Sequence, residues 1–299
     1  MKIFVTLAML FSAILLLGMS AKAETGLVTE LKQKDATKTS VTLEWQAATG
    51  ATEYEIWEYS LNGAIANLKG KTTATNTTIN GLKPGEIYIF TIVPTDGSQR
   101  YPSMMATANN VKTVAEKPSD IVSVYRKKNQ VQLSWDASKA YVDGYEIQLY
   151  NGKKKVGKKI NITGMKNSAT IKKVDARRFY RVRMRSYVNT TSGKRYSNYA
   201  THYTANHVQI VPRRADKNIR LTWTRVTGAT GYTIYVRRGD KGKFQKLADV
   251  KKNTLSYTIK RIQGKKLKRG REYSIYVIAR KKVKGVTYQS VGAYGLYKF

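Results

Sequence analysis

One strand-like hexapeptide occurs three times along the chain. It reads SVTLEW ending at Trp45, QVQLSW ending at Trp135, and NIRLTW ending at Trp223, at intervals of 90 and 88 residues. In each copy the alternate positions are apolar: Val41, Leu43 and Trp45; Val131, Leu133 and Trp135; Ile219, Leu221 and Trp223. Strict period-two alternation marks a half-buried β-strand with one face toward a core. The tryptophan closing each inward row predicts a buried indole. A recurrence near ninety residues means several similar units rather than one large core.

Two further features travel with the tryptophan. Nine or ten residues after it comes a second alternating segment: EYEIWEY, GYEIQLY and GYTIYVR, with Tyr54, Tyr145 and Tyr232 at equivalent inward positions. Gly-bearing turns precede these segments, TGAT in the first and third copies and VDG in the second. Later an apolar residue stands six before a tyrosine, as Leu82 and Tyr88, Val174 and Tyr180, and Leu267 and Tyr273. Each tyrosine opens another strand-like run, and each run leads to a loop glycine (Gly97, Gly193, Gly285) and another tyrosine before a final strand. Helical periodicity of useful length is missing from the sequence after the first 23 residues. Short strands separated by turn signals indicate antiparallel sandwiches.

This set of positions resembles the fibronectin type III domain, matched at 45/54/82/88, 135/145/174/180 and 223/232/267/273. The resemblance covers nearly all of the chain after residue 23. It implies an all-β fold of three tandem immunoglobulin-like sandwiches: a leader at 1–23, then units at 24–114, 115–206 and 207–299. It also implies that each corner tyrosine packs its ring inside while its hydroxyl bonds upstream backbone. The middle copy departs from the pattern with Val174 and DARR at its corner, which predicts a looser corner there. The third copy carries about five extra residues, RIQGK, before its corner. Linkers near 114–120 and 205–208 look short, which predicts a semi-rigid rod of three beads.

The first residues predict export. Lys2 precedes the apolar run IFVTLAMLFSAILLLGM, and Ala21-Lys22-Ala23 has the small-x-small form of a cleavage signal. The alternative is a retained anchor; cleavage leaves no membrane span. Cysteine is absent, so each core must stand on apolar packing without disulfides. Together these features point to a secreted bacterial chain.

Charge is uneven. Residues 24–113 carry 8 cations and 9 acids, 114–206 carry 20 and 6, and 207–299 carry 24 and 4. The formal net charge of +35 therefore lies almost wholly on the last two units. A field of that size attracts polyanions and costs stability by self-repulsion. Two groups stand out. Arg181, Arg183 and Arg185 alternate with inward Tyr180, Val182 and Met184, which predicts an outward row of guanidiniums spaced ~6.6–7 Å apart. Lys265, Lys266, Lys268 and Arg269 crowd the corner of the third unit. Both are read either as solvated surface or as a polyanion contact. The lysines of NGKKKVGKK (residues 151–159) fall on a predicted edge hairpin, where they block sheet-to-sheet pairing.

Enzymatic constellations are missing. There are two histidines, His202 and His207, and neither a nucleophile elbow nor a phosphate loop. Glu44, Glu53 and Glu55 fall on outward strand positions, where no enclosed cleft would raise a carboxyl pKa. The sequence therefore predicts no catalytic, cofactor or metal site. Arg238-Gly239-Asp240 falls in the turn after a strand and is discounted as an adhesion tripeptide. The expected role is extracellular binding or scaffolding. Its expected partners are anionic polysaccharide, teichoic acid or another polyanion, together with another protein, without specific nucleic-acid recognition. The alternative is a passive spacer or a carbohydrate-binding accessory to an extracellular enzyme.

Overall fold

The computed structural model describes residues 25–63, 66–127, 129–137, 140–175, 177–205, 208–290 and 292–299, so the expected leader lies outside the described residues. The first strands are β1 (Thr29–Ala36), β2 (Ser40–Gln46), β3 (Glu53–Tyr59), β4 (Ala66–Thr72), β5 (Asn76–Asn80), β6 (Ile87–Thr95) and β7 (Ala106–Lys112). They pair as a β1-β2-β5 sheet facing a β4-β3-β6-β7 sheet. The pattern recurs in β8 (Ser119–Lys127), β9 (Gln130–Asp136), β10 (Gly144–Asn151), β11 (Lys154–Thr163), β12 (Ser168–Lys172), β13 (Tyr180–Thr190), β14 (Gly193–Tyr196) and β15 (Ala200–Thr204). It recurs again in β16 (Ile210–Ala215), β17 (Asn218–Trp223), β18 (Gly231–Arg238), β19 (Gln245–Lys251), β20 (Ser256–Ile259), β21 (Arg261–Ile262), β22 (Lys265–Lys266), β23 (Glu272–Val283), β24 (Val286–Gln289) and β25 (Ala293–Lys298). In the second and third sandwiches the last strand is split, and Ser197 or Ser290 bridges the break. Each serine accepts a backbone N–H of the neighbouring strand at 3.0 Å.

The alternating rows are buried as expected, and three apolar cores result. Each indole meets the tyrosine of the third strand edge-on or tilted: Trp45–Tyr54 at 5.3 Å, Trp135–Tyr145 at 5.1 Å and Trp223–Tyr232 at 5.6 Å between centroids. Truncating any of the three indoles to alanine removes a buried side chain worth about 3–5 kcal/mol. The Tyr54 and Tyr232 hydroxyls also accept the Ala48 and Val226 N–H groups at 2.9 and 3.0 Å, which pins the TGAT turn.

The corner forms in all three copies. The N–H groups of Lys83, Asp175 and Lys268 donate to the hydroxyls of Tyr88, Tyr180 and Tyr273 at 2.8, 3.0 and 2.9 Å. The middle corner is not looser. Its bond matches the others, and Val174 is as buried as Leu82. Leu267, in the third copy, is the half-buried one. The five extra residues explain this. Arg261–Ile262 and Lys265–Lys266 pair as a minimal hairpin, and Ile262 enters the core beside the corner.

Backbone hydrogen bonds cross both junctions. At the first, the Tyr141 N–H donates to Gly85 O at 2.7 Å and the Thr191 N–H to Gln33 O at 3.0 Å. Lys112 pairs with Asp143 at 2.8 Å, and Arg195 pairs with Asp35. Gly85 has φ +73°, and a Cβ there would lie 2.9 Å from the Ala140 methyl, so the two sandwiches close on a position only glycine fills. At the second junction, the Phe179 N–H donates to Thr227 O at 3.0 Å, and the Thr227 N–H to Arg177 O at 2.8 Å. Phe179 and Ala205 pack into the third core although they precede its first strand.

Replacing Tyr88, Tyr180 or Tyr273 by phenylalanine strands a backbone donor. Each change is expected to lower the stability of its own sandwich by about 1–2 kcal/mol. Urea unfolding of the full chain, followed by tryptophan fluorescence, reads this as one transition moving to lower denaturant. Equal midpoints for Y180F and the unaltered chain would show that the middle corner bond adds no stability.

Candidate functional site

Strand β13 places Arg181, Arg183 and Arg185 on the face opposite Val182 and Met184, as the alternation predicts. In register across from them on β10 lie Tyr150, Gln148 and Glu146. The three guanidiniums do not form an open strip, however. Arg181 lies over the Tyr150 ring at 4.6 Å, Arg183 over Tyr199 at 3.8 Å, and Arg185 over Tyr196 at 3.5 Å. All three are half-buried, and stacking on the rings offsets part of their desolvation.

Glu146 is the centre of this face. It is 3% exposed; its Oε2 accepts both Arg185 Nε–H and Nη2–H at 3.0 and 2.8 Å, and its Oε1 accepts Lys159 at 2.8 Å and Tyr196 at 3.1 Å. Burial alone would raise its pKa. The hydrogen bonds from Lys159, Arg185 and Tyr196 outweigh that and hold it below the usual carboxylate range. Arg185 therefore shares this carboxylate with Lys159, whereas Arg181 and Arg183 have aromatic rather than acidic partners among the described residues.

The first sandwich builds the same feature. Glu55 was expected on an exposed face; it is 5% exposed, covered by Trp57, Lys71 and Arg100. Its carboxylate accepts the Trp57 indole N–H at 3.0 Å and pairs with Lys71 at 3.1 Å. Position three of the third strand thus carries a buried polar group in each sandwich: Glu55, Glu146 and Thr233. The last bonds Asp249 at 2.6 Å, and Asp249 also pairs with Lys246 and Arg280. On this face of the third sandwich Phe244 packs with Tyr276 and Tyr294, while Arg237 lies over Phe244 at 4.6 Å. Tyr294 remains half exposed.

The second cationic group sits elsewhere. Lys265, Lys266, Lys268 and Arg269 are all exposed on the hairpin and corner of the third sandwich, without a carboxylate partner among the described residues. The two groups belong to different sandwiches rather than to one face. The Arg238-Gly239-Asp240 turn is tied down: Arg238 donates to Ile262 O at 2.8 Å and the Gly239 N–H to Glu272 O at 2.9 Å.

His202 is half-buried at the second junction. Its ring bonds Ser123 at 3.1 Å and meets Tyr288 of the third sandwich edge-on at 6.0 Å. Burial holds its pKa down to about 4. His207 lies outside the described residues. Among the described residues no group of His, Cys, Asp and Glu could hold a metal ion, and no helix is long and apolar enough to cross a membrane.

The sequence profile of the fibronectin type III domain matches residues 27–105 and 116–203, more than half of the chain, and the chain belongs to that family. Chitinase A1 of Niallia circulans is 35% identical over 130 residues, 39% of this chain and 17% of that protein. Tenascin-R of Mus musculus is 33% identical over 140 residues, 44% of this chain and 10% of that protein. The chain thus spans less than a fifth of the length of these curated relatives. A structure of a two fibronectin type III domain segment from chicken tenascin aligns at 20% identity and a TM-score of 0.33, covering 60% of this chain and 98% of that one.

The folded His202 titrates below the ordinary histidine range, so folding is favoured by its neutral form. Stability is complete above about pH 6.5 and falls as the pH drops toward about 4. The slope it adds is at most about 1.4 kcal/mol per pH unit. Unfolding of the H202Q chain across that window should be flatter than that of the unaltered chain. Identical slopes would show that the ring is solvated.

Proposed function

We propose that this chain is an exported, non-catalytic binding and scaffolding protein. Its second and third sandwiches hold an anionic polymer of a cell surface or matrix, and the first meets another protein. One observation carries this reading. Residues 207–299 hold 24 cations and four acids, and residues 114–206 hold 20 and six, so most of the charge cannot be paired internally. Glu146 and Asp249 each pair with two cations, and the corner cations of the third sandwich stand in solvent. Acidic polysaccharide and teichoic acid share the chemistry such a surface attracts, a repeating carboxylate or phosphate that releases counterions on contact.

A second reading draws on the aromatic cluster of Tyr276, Phe244 and half-exposed Tyr294, and on the similarity to part of a chitinase. It is an accessory role on neutral glycan, by ring stacking.

Salt separates these readings. The chain is expected to load on heparin resin at about 50 mM salt and to elute steeply before roughly 200 mM to 0.5 M. The K265Q/K266Q/K268Q/R269Q chain should elute earlier, its salt slope reduced by about 0.7–0.9 for each anionic group it no longer neutralises. Failure to bind at low salt would leave a passive spacer. Retention on neutral glycan that salt does not change would favour the accessory role.

A further inference from the structure

The second junction contains a cleft that the strand pattern does not suggest. It has a volume of about 430 Å³ and lies between the β10–β11 turn and the start of β13 on one side, and residues 227–228 and 281–283 on the other. Arg178, Arg181 and Lys281 line it, with Asn151, Tyr203 and Thr227, and among the described residues no acid does. Three cations facing one recess repel one another unless an anion joins them.

The cations are held in place by neutral groups. Arg178 donates to the Asn151 side-chain oxygen at 3.1 Å. Arg181 is held over Tyr150, and its Nε–H is buried without an acceptor. Lys281 reaches over the Tyr203 ring at 6.0 Å. The walls are joined by the reciprocal backbone bonds between residues 177–179 and Thr227, so the recess does not have to be assembled on binding. Gly228 turns the chain at the floor with φ +84°, a conformation that favours glycine. A Cβ there would stand 3.5 Å from Phe179 Cβ and 4.0 Å from Lys281 Nζ. Two planar guanidinium forks and one ammonium suit the oxygens of a carboxylate, sulfate or phosphate. The volume lies within the ~300–1,000 Å³ range of small-ligand sites.

We infer that this cleft is an anion seat that clasps one acidic group of a polymer between the second and third sandwiches. The inference rests on the polyanion reading above. It adds a defined site, whereas the exposed corner cations act as a diffuse field.

The test uses the full chain without its leader, labelled with 15N and titrated with tri-galacturonate in one arm and a glycerol phosphate trimer in the other, with a neutral maltotriose control. Saturable shifts are expected at the Phe179, Thr227 and Gly228 amides in at least one anionic arm, and the stronger arm identifies the acid. The R178Q/K281Q chain should bind about tenfold more weakly. The K265Q/K266Q chain, which loses the same charge, should change less than about twofold. Spectra unchanged away from the junction show that both variants are folded. If the unaltered chain binds neither oligomer and is not held on heparin, the polyanion reading fails and the seat with it. If heparin holds the chain but the two variants weaken alike, or neither oligomer shifts the junction amides, the polyanion reading stands and the seat is wrong.

Discussion

Each sandwich is organised around an indole on its second strand that meets a tyrosine ring on its third. The contact joins the two sheets near the middle of the core, because the second and third strands belong to opposite sheets. In the first and third copies the same tyrosine hydroxyl holds the turn that carries the chain between those strands. A second tyrosine, at the corner, holds the later crossover. Without disulfides, these ring contacts and tyrosine hydroxyl bonds, two in the first and third sandwiches and one in the second, serve as the cross-links.

The junctions use different chemistry. The first is polar, with Lys112 on Asp143, Arg195 on Asp35 and backbone bonds to Gln33 and Gly85. It joins the near-neutral first sandwich to a cationic neighbour, so opposite charges can meet there. The second joins two cationic sandwiches and is mostly aromatic, with Phe179 in the neighbouring core and Tyr203 against Tyr288 at 4.9 Å. Apolar contact suits a boundary where both sides carry the same sign, and the cations left beside it line the cleft.

Much of the face on strand β13 was legible in advance. Alternation alone put Arg181, Arg183 and Arg185 outward, and strand pairing then set Glu146 and Tyr150 across from Arg185 and Arg181. Alternation separates two faces but says nothing about what covers the outer one. Tyr199 lies in the break between β14 and β15, off any strand period, yet it supports two guanidiniums. Glu55 reads as exposed because its strand position is outward, and it is buried because Trp57 and long cations fold over it. Such coverage depends on side chains from two strands and a loop at once.

From the sequence alone came the number of sandwiches suggested by the repeat, the inward rows, the corners and the imbalance of charge. These are local or periodic properties, and short-range sterics and hydrophobic patterning are enough to express them. Tertiary structure alone decided which cations are ion-paired, that a buried Ile262 joins a half-buried Leu267 at the third corner, and that half-buried His202 packs against the next sandwich. It also brought Arg178, Arg181 and Lys281, about a hundred residues apart at the extremes, to one cleft. Each of these outcomes depends on distances between segments remote in the chain, which are set only when sheets and neighbouring sandwiches pack.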